Sequence, residues 1–396
     1  MNNTKLLFLL VFMFSCRVHA QSIKRIDDSS IAVEDLDMNF ERLQRAANVH
    51  GLTISIVTKD SVLFQKAYGS RNLEKKQPLA ITHNFYAASL SKPLFAFIVM
   101  KLVDSGAIDL DKPLVEYLDN PLTSYGFPYH YEGYKDLEGD KRYKKITARM
   151  CLSHTTGFPN WRYIGKLSIN MNKPLEIESS PGSNYSYSGE GIQLLQFVVE
   201  QITKKGLEEL AQTHVFQPFD MRMTSFLWQE RFDDNYAVGH RKKGDVLERR
   251  KRNQEYAAGS MDTTPEDYAK FIQAMLARKG LSRDAYEEMF MPQIAIKSKQ
   301  QFGRNRRKTT DENTDINLSY GLGWGIYDTP FGKAVFKEGH IEGWEHYAIL
   351  YPTKDIGMVI MCNSSNGEGI FKELLEIAIA DRWLPWYWEN FIPYKG

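Results

Sequence analysis

The stretch "FAFIVMKLVDSG", Phe95 to Gly106, is apolar on every face of a helix. A helix with no polar face must be surrounded by other elements, so it marks the centre of the fold. Gly106 is a natural C-terminal cap. Pro93 is tolerated only in a first helical turn, so the helix must start close to Ser89. β-Rich runs lie at the two ends of the chain. "GLTISIVTKDSVLFQKAYG" (51–69) reads as a hairpin around Lys59-Asp60. "KAVFKEGHIEGWEHYAILYPTKDIGMVIMCNSS" (333–365) offers three strands with turns at 339–343 and 352–355. Helical patterns fill the space between: "GIQLLQFVVEQITKKG" ending at Gly206, and "TTPEDYAKFIQAMLARKG" with a threonine cap, Pro265 and Gly280. A last helix, "GIFKELLEIAIADRW", follows the final strand. The expected fold is α+β: an antiparallel sheet built from both chain ends, flanked by helices, with a mainly helical inserted region. No internal repeat is visible.

The chain has 396 residues and a formal net charge of +1, which gives no electrostatic argument for nucleic acid or an anionic membrane. "MNNTKLLFLLVFMFSCRVHAQS" has a lysine, a short apolar run and then small residues, the pattern of a secretory signal peptide cut after Ala20. The apolar run is too short to span a bilayer, and no later segment is a transmembrane candidate. A lipid anchor at Cys16 is the alternative, against which Met13 and Phe14 argue. An exported location, periplasmic or secreted, is expected. Cys151 and Cys362 sit in apolar contexts and read as buried thiols rather than a disulfide. "GHRKKGDVLERRKRNQ" (239–254) and "KSKQQFGRNRRKTTDENTDIN" (297–317) read as solvated loops, the first a hairpin around Lys243-Gly244-Asp245.

Ser89 and Lys92 share one face of a helix start, where free N–H groups favour developing negative charge. A lysine desolvated against the apolar helix could take the serine proton. Spacing alone favours the plainer reading, a serine-rich cap beside a solvated lysine. "SSPGSNYSYSGEGIQLL" places Tyr187 and Ser188 just before a helix, where a tyrosine can share protons with a lysine. "EGHIEGW" puts His340 on a strand near glycines whose N–H groups could approach a carbonyl.

Six ordered blocks carry a resemblance: "FYAASLSKPLFAFIVMKLVDSGAIDLDKPLVEYL", "ITARMCLSHTTGFPN", "PGSNYSYSGEGIQLL", "EYAAGSMDTTPEDYAKF", "YGLGWGI" and "GHIEGW…YPTKDIGMVIMCNSS". From about residue 40 to about 382 the chain resembles the penicillin-recognising serine hydrolases, of the class C β-lactamase, D-Ala-D-Ala carboxypeptidase and family VIII esterase type. The resemblance implies Ser89 as nucleophile, Lys92 as its partner and Tyr187 as the tyrosine of a Tyr-x-Asn element. Ser188 matches the serine that follows that tyrosine, and His340 the first place of Lys/His-Thr-Gly. It further implies an oxyanion hole from the N–H groups of Ser89 and Gly343. Two departures stand out. Gly189 replaces the asparagine whose amide contacts the substrate's acylamino group. His340-Ile341-Glu342 replaces Lys/His-Thr-Gly, and Glu342 would repel a substrate carboxylate. Both point away from efficient β-lactam hydrolysis and leave acyl transfer intact.

The expected organisation is a signal peptide (1–20), a lead-in (21–40), a serine hydrolase domain (41–383) with its helical region at about 111–314, and an aromatic tail (384–396). The expected function is hydrolysis of a small amide, D-amino-acid peptide or ester through a Ser89 acyl-enzyme, with no cofactor or metal. The alternatives are a weak or inactive penicillin-binding-like module and a true β-lactamase. His154 in "LSHTTGFP" reads as part of a structural turn rather than a triad, and no Gly-x-Ser-x-Gly elbow exists. His340, Glu342 and His346 would share one strand face, a thin basis for a metal site. Asp109 and Asp111 read as turn caps. The tail "RWLPWYWENFIPY" is expected to pack back on the body or edge the cleft rather than anchor in a membrane.

Overall fold

The computed structural model describes residues 21–126, 133–162 and 174–395; the expected signal peptide and Cys16 lie outside them. Helix α1 (Val33–Ala46) leads into the hairpin β1 (Gly51–Val57) and β2 (Val62–Asn72). Central helix α2 (Ser91–Asp104), α3 (Gly189–Thr203) and α4 (Pro265–Leu276) follow. The chain then returns to the sheet as β3 (Gly325–Thr329), β4 (Gly332–Ile341), β5 (Trp344–Tyr351) and β6 (Ile356–Cys362), and α5 (Phe371–Ile379) closes the order.

Every residue of β1, β5 and β6 is buried, because these strands are covered on both faces. The two chain ends meet where β1 pairs antiparallel with β6, Ile54 opposite Ile360. Among the described residues the sheet has nine strands, ordered Gln77–Pro78, β2, β1, β6, β5, β4, β3, Ser319–Tyr320, Ile294–Ala295. One face packs on α2, α3 and α4. The other carries α1, α5 and the tail residues Leu384, Trp388 and Phe391. The tail therefore folds back on the body.

Helix α2 buries eleven of its fourteen residues, as an apolar surface on all sides demands. Thr264 caps α4 by accepting the N–H of Asp267 at 3.1 Å, with Pro265 in the first turn. Helix α3 ends earlier than expected. Lys204 takes the left-handed conformation, and Gly206 instead starts the next helix, Leu207–Ala211.

The two polar excursions are not simply solvated. Residues 241–245 do turn as a hairpin, with Arg241 N–H donating to the Asp245 carbonyl at 2.9 Å. Beyond it Arg249 dives inward, 4% exposed, and pairs with buried Asp262 at 2.6 Å. In the second excursion Gln301 is buried and donates to Glu338 at 2.9 Å. Buried acids draw both segments in, and composition alone does not reveal them.

The central position of α2 sets a measurable cost. Phe97 is fully buried and meets Phe219 and Phe271 edge-on. Phe97→Ala is expected to destabilise the fold by about 3–5 kcal/mol in urea denaturation. A loss below about 1 kcal/mol would contradict the placement of α2 at the core.

Candidate active site

Immediately before α2, residues Ala88–Leu90 form a single tight turn. Ala88 is held at φ +48°, a conformation uncommon for alanine, and its carbonyl accepts the Ser91 hydroxyl at 2.7 Å. Ser91 Oγ also accepts the N–H of Met261 at 3.2 Å, tying the turn to the 257–261 segment. These contacts present Ser89, partly exposed, at the N-terminal end of α2.

Lys92 lies one turn on and is 1% exposed. Its Nζ is 3.0 Å from Ser89 Oγ and 2.6 Å from the Ala258 carbonyl, so both partners are neutral oxygens. Burial drives the Lys92 amine well below the usual lysine range, and the Lys337 charge adds to the effect while Glu338 opposes it.

Tyr187 arrives from the other side, in the segment leading into α3. His154, itself at φ +56°, clamps that segment: its carbonyl accepts Ser186 N–H at 2.8 Å and its Nδ1 accepts Ser188 N–H at 3.2 Å. The imidazole packs on the Tyr187 ring, centroids 4.3 Å apart, and burial keeps it neutral. His154 is thus a positioning residue held away from solvent. Burial pushes the Tyr187 phenol well above its usual range, and the nearby Ser89 hydroxyl opposes the shift. Lys92 and Lys337 both place Nζ 4.9 Å from the Tyr187 ring centroid.

Lys337 was not singled out from the sequence, yet it reaches Tyr187 where the expected element had His340. Reading Lys337-Glu338-Gly339 in place of His340-Ile341-Glu342 recovers both the lysine and the glycine of Lys/His-Thr-Gly. Gly339 is where β4 lies against the nucleophile turn; a Cβ there would sit 2.8 Å from the Ala87 carbonyl oxygen. The Lys-x-Gly spacing was the available signal. His340 still lines the cleft with Ser89, but its Nδ1 is bonded to Glu368 at 2.6 Å.

Other expectations need correction. Gly343 is not free to serve an oxyanion, because the β4–β5 connection is a two-residue turn and its N–H donates to Ser365 Oγ at 2.7 Å. Glu342 turns outward to Arg241 at 2.9 Å, so its charge is paired at the surface. Ser188 is a helix cap: its hydroxyl accepts Gly191 N–H and donates to the Pro159 carbonyl, both at 2.9 Å.

Gly189 has a spatial cause. A Cβ at this position would lie 2.6 Å from the Trp161 indole. The 159–162 segment is fixed there by Gly189 N–H on Asn160 Oδ1 at 3.0 Å and by the buried Arg162–Glu190 pair at 2.9 Å. Trp161 therefore fills the space a side chain at position 189 would need, and it stands on the wall of the Ser89 cleft. That cleft, about 320 Å³, is also lined by Tyr86, Arg250, Arg252, Tyr256 and Ile341.

The sequence profile of the Beta-lactamase family matches residues 36–380. The chain belongs to the Beta-lactamase family. It is 22% identical over 343 residues to Protein flp of Staphylococcus aureus (strain MW2), covering 83% of this chain and 63% of that protein. It is 24% identical over 342 residues to Penicillin-binding protein 4* of Bacillus subtilis (strain 168), covering 78% and 66%. The chain thus spans less than two thirds of the length of its flp relative. Among solved structures, the octameric penicillin-binding protein homologue from Pyrococcus abyssi aligns with a TM-score of 0.70 at 22% identity, covering 90% of this chain and 79% of that one. The D-alanine carboxypeptidase AmpC from Burkholderia cenocepacia gives 0.64 at 18%, covering 84% and 95%. The family is one of serine hydrolases, and the shared fold is the β-lactamase/penicillin-binding one.

The contact between positions 189 and 161 is testable as a pair. Gly189→Ala alone should cost about 1–3 kcal/mol, the range for overpacking. In the Trp161→Ala background the same change should be close to neutral, giving a coupling of at least about 1 kcal/mol in a double-mutant cycle. Additive effects would refute the steric account.

Proposed function

We propose that the protein is an acyl-transfer hydrolase in which Ser89 forms an acyl-enzyme with a small amide, peptide of the D-amino-acid type, or ester. The observation that carries this reading is the 3.0 Å contact between Ser89 Oγ and a fully buried lysine amine whose partners are neutral. An uncharged Lys92 amine can accept the serine proton as Oγ attacks the carbonyl carbon. Tyr187, kept as a neutral phenol, is suited to pass a proton to the leaving group and to recover one from the attacking water. The two amino groups near the Tyr187 ring and the raised phenol pKa support this division of labour.

The oxyanion hole is assigned to the N–H of Ser89 and that of His340. The two-residue turn at Glu342-Gly343 makes Ile341 and Trp344 the closing pair of the hairpin. Ladder alternation then points the His340 N–H away from β5, on the side of β4 that β3 no longer covers. Arg250 and Arg252 on the cleft wall favour substrates with an anionic group near the scissile bond. Arg252 lies over the Tyr86 ring at 3.6 Å, and its Nη1 is buried without a partner. A buried donor left unpaired costs about 1–3 kcal/mol, which a substrate oxygen would recover. The leader pattern of the first twenty residues supports export, and cell-wall peptides or external esters as the substrate pool.

Labelling with a fluorophosphonate and mass spectrometry should place an adduct on Ser89. Ser89→Ala should lower kcat/KM for a p-nitrophenyl ester by about a thousandfold or more, and Tyr187→Phe by about 10²–10⁴. Unlabelled Ser89 together with unchanged turnover in Ser89→Ala would end the proposal.

The pH dependence follows from the Lys92 shift. The neutral amine is the active form, so rate falls as pH drops through the lowered Lys92 pKa. Lys337→Gln removes the neighbouring charge that adds to the depression by burial, so Lys92 holds its proton to higher pH. The acid limb of kcat/KM against pH should move upward. A limb that moves down or stays put would show that Lys92 is not the base.

A further inference from the structure

Beside the cleft, three side chains have no part in the acyl transfer proposed above, although the backbone N–H of one of them, His340, does. His340 is the penultimate residue of β4, Glu345 stands directly opposite it in β5, and Glu368 lies in the single turn Gly367–Ile370. One donor atom from each lies within 4.8 Å of the others. Two of the three are fixed by strand register. The third is fixed by its own backbone, since Glu368 N–H donates to Glu345 Oε2 at 2.7 Å. His340 Nδ1 and Glu368 Oε1 are 2.6 Å apart.

Glu345 is only 4% exposed, and among the described residues it has no ion-pair partner and nothing donates to its Oε1. Burial, together with the Glu368 charge, pushes its carboxyl up to about 8. The charges of His340 and, more weakly, Lys242 oppose that rise. Two carboxylates brought this near at the end of a buried strand need either a proton or a cation between them.

We propose that His340, Glu345 and Glu368 form a binding site for one divalent transition-metal ion of the zinc type. One imidazole nitrogen and two carboxylate oxygens make a donor set that suits zinc. Calcium would need six or more oxygens, and magnesium a near-ideal octahedron, neither of which the cluster supplies. Ligand atoms around a tetrahedral zinc stand roughly 3.4 Å apart, so contacts as wide as 4.8 Å must close by up to about 1.4 Å and the 2.6 Å His340–Glu368 contact must open by about 0.8 Å, within the reach of side-chain rotation. The fourth position is left for water or a substrate oxygen, because His340 lies on the cleft wall with Ser89. On binding, the Nδ1 to Oε1 hydrogen bond between His340 and Glu368 is replaced by two metal–ligand bonds. The ion would tie the end of β4 to the Gly367–Ile370 turn.

The test uses the full chain after treatment with a chelator and gel filtration. Titration with zinc chloride in a calorimeter should give one site per chain, with a Kd on the order of 1 μM or tighter. Cobalt(II) should give the visible d–d absorption of a four- or five-coordinate ion, and zinc should abolish it. Glu345→Gln and Glu368→Gln keep size and hydrogen bonding, and each should weaken zinc binding at least tenfold while circular dichroism stays unchanged. His340→Ala should remove the cobalt spectrum. No cobalt absorption in the parent protein, or zinc affinity unmoved by both glutamine variants, would overturn the site. Neither readout involves hydrolysis, so its failure is separate from any failure of the Ser89 proposal.

Discussion

The amine of Lys92 has to be buried, and much of the structure serves that burial. An ammonium in a water-free interior is costly unless paired, and the two oxygens within reach of Lys92 are neutral. Burial therefore favours the uncharged amine and drives the Lys92 pKa well below the usual lysine range. The apolar faces of α2 bring this about: Leu94, Phe95 and Ile98 are fully buried around the same first turns, so the lysine stem lies in packed apolar surroundings. A helix with one polar face would have let Lys92 reach solvent and keep its proton. The all-round apolar character of α2 is therefore both the organising feature of the core and the cause of the lysine's chemistry.

The groups around Lys92 are held by backbone rather than by flexible contacts. Ala88 and His154 both sit at positive φ, one beside Ser89 and one beneath Tyr187. Each strained residue is over-determined by its neighbours: Ala88 through Ser91 and Met261, His154 through Ser186 and Ser188. Strain of this kind costs of order 1–3 kcal/mol per residue and persists only where packing enforces it. It fixes the serine and the tyrosine on opposite sides of one amine without either having to search for its place.

How much of this was legible in the sequence follows physical lines. The sheet from both chain ends, α2, α4 and the Ser89–Lys92 turn depend on local periodicity and on Pro93, and they could be read directly. Tyr187 was visible as a tyrosine just before a helix, and the resemblance separated its expected role from that of Tyr185. Lys337 was missed because its neighbour Glu338 makes the motif look solvent-facing, whereas the two side chains pair inside the protein. Trp161 was missed because its meaning lies in the absence of a side chain at Gly189, a complementarity between segments that share no sequence pattern. Gly343, Glu342 and Ser188 were assigned by position in a motif. Their hydrogen bonds to Ser365, Arg241 and Pro159 are long-range and only the fold reveals them.

The short β4–β5 turn accounts for several departures together. With two residues in the turn, Gly343 sits at its apex and Glu342 swings to Arg241. The cationic side chains that line the cleft come from the 249–252 segment, as Arg250 and Arg252. Charge pairing decides which of them remain available. Arg249 is neutralised by Asp262 and Arg241 by Glu342, while Arg250 and Arg252 face the cleft. The acidic residue that first looked like an obstacle to anionic substrates thus pairs with a different arginine, and among the described residues neither Arg250 nor Arg252 has a salt-bridge partner.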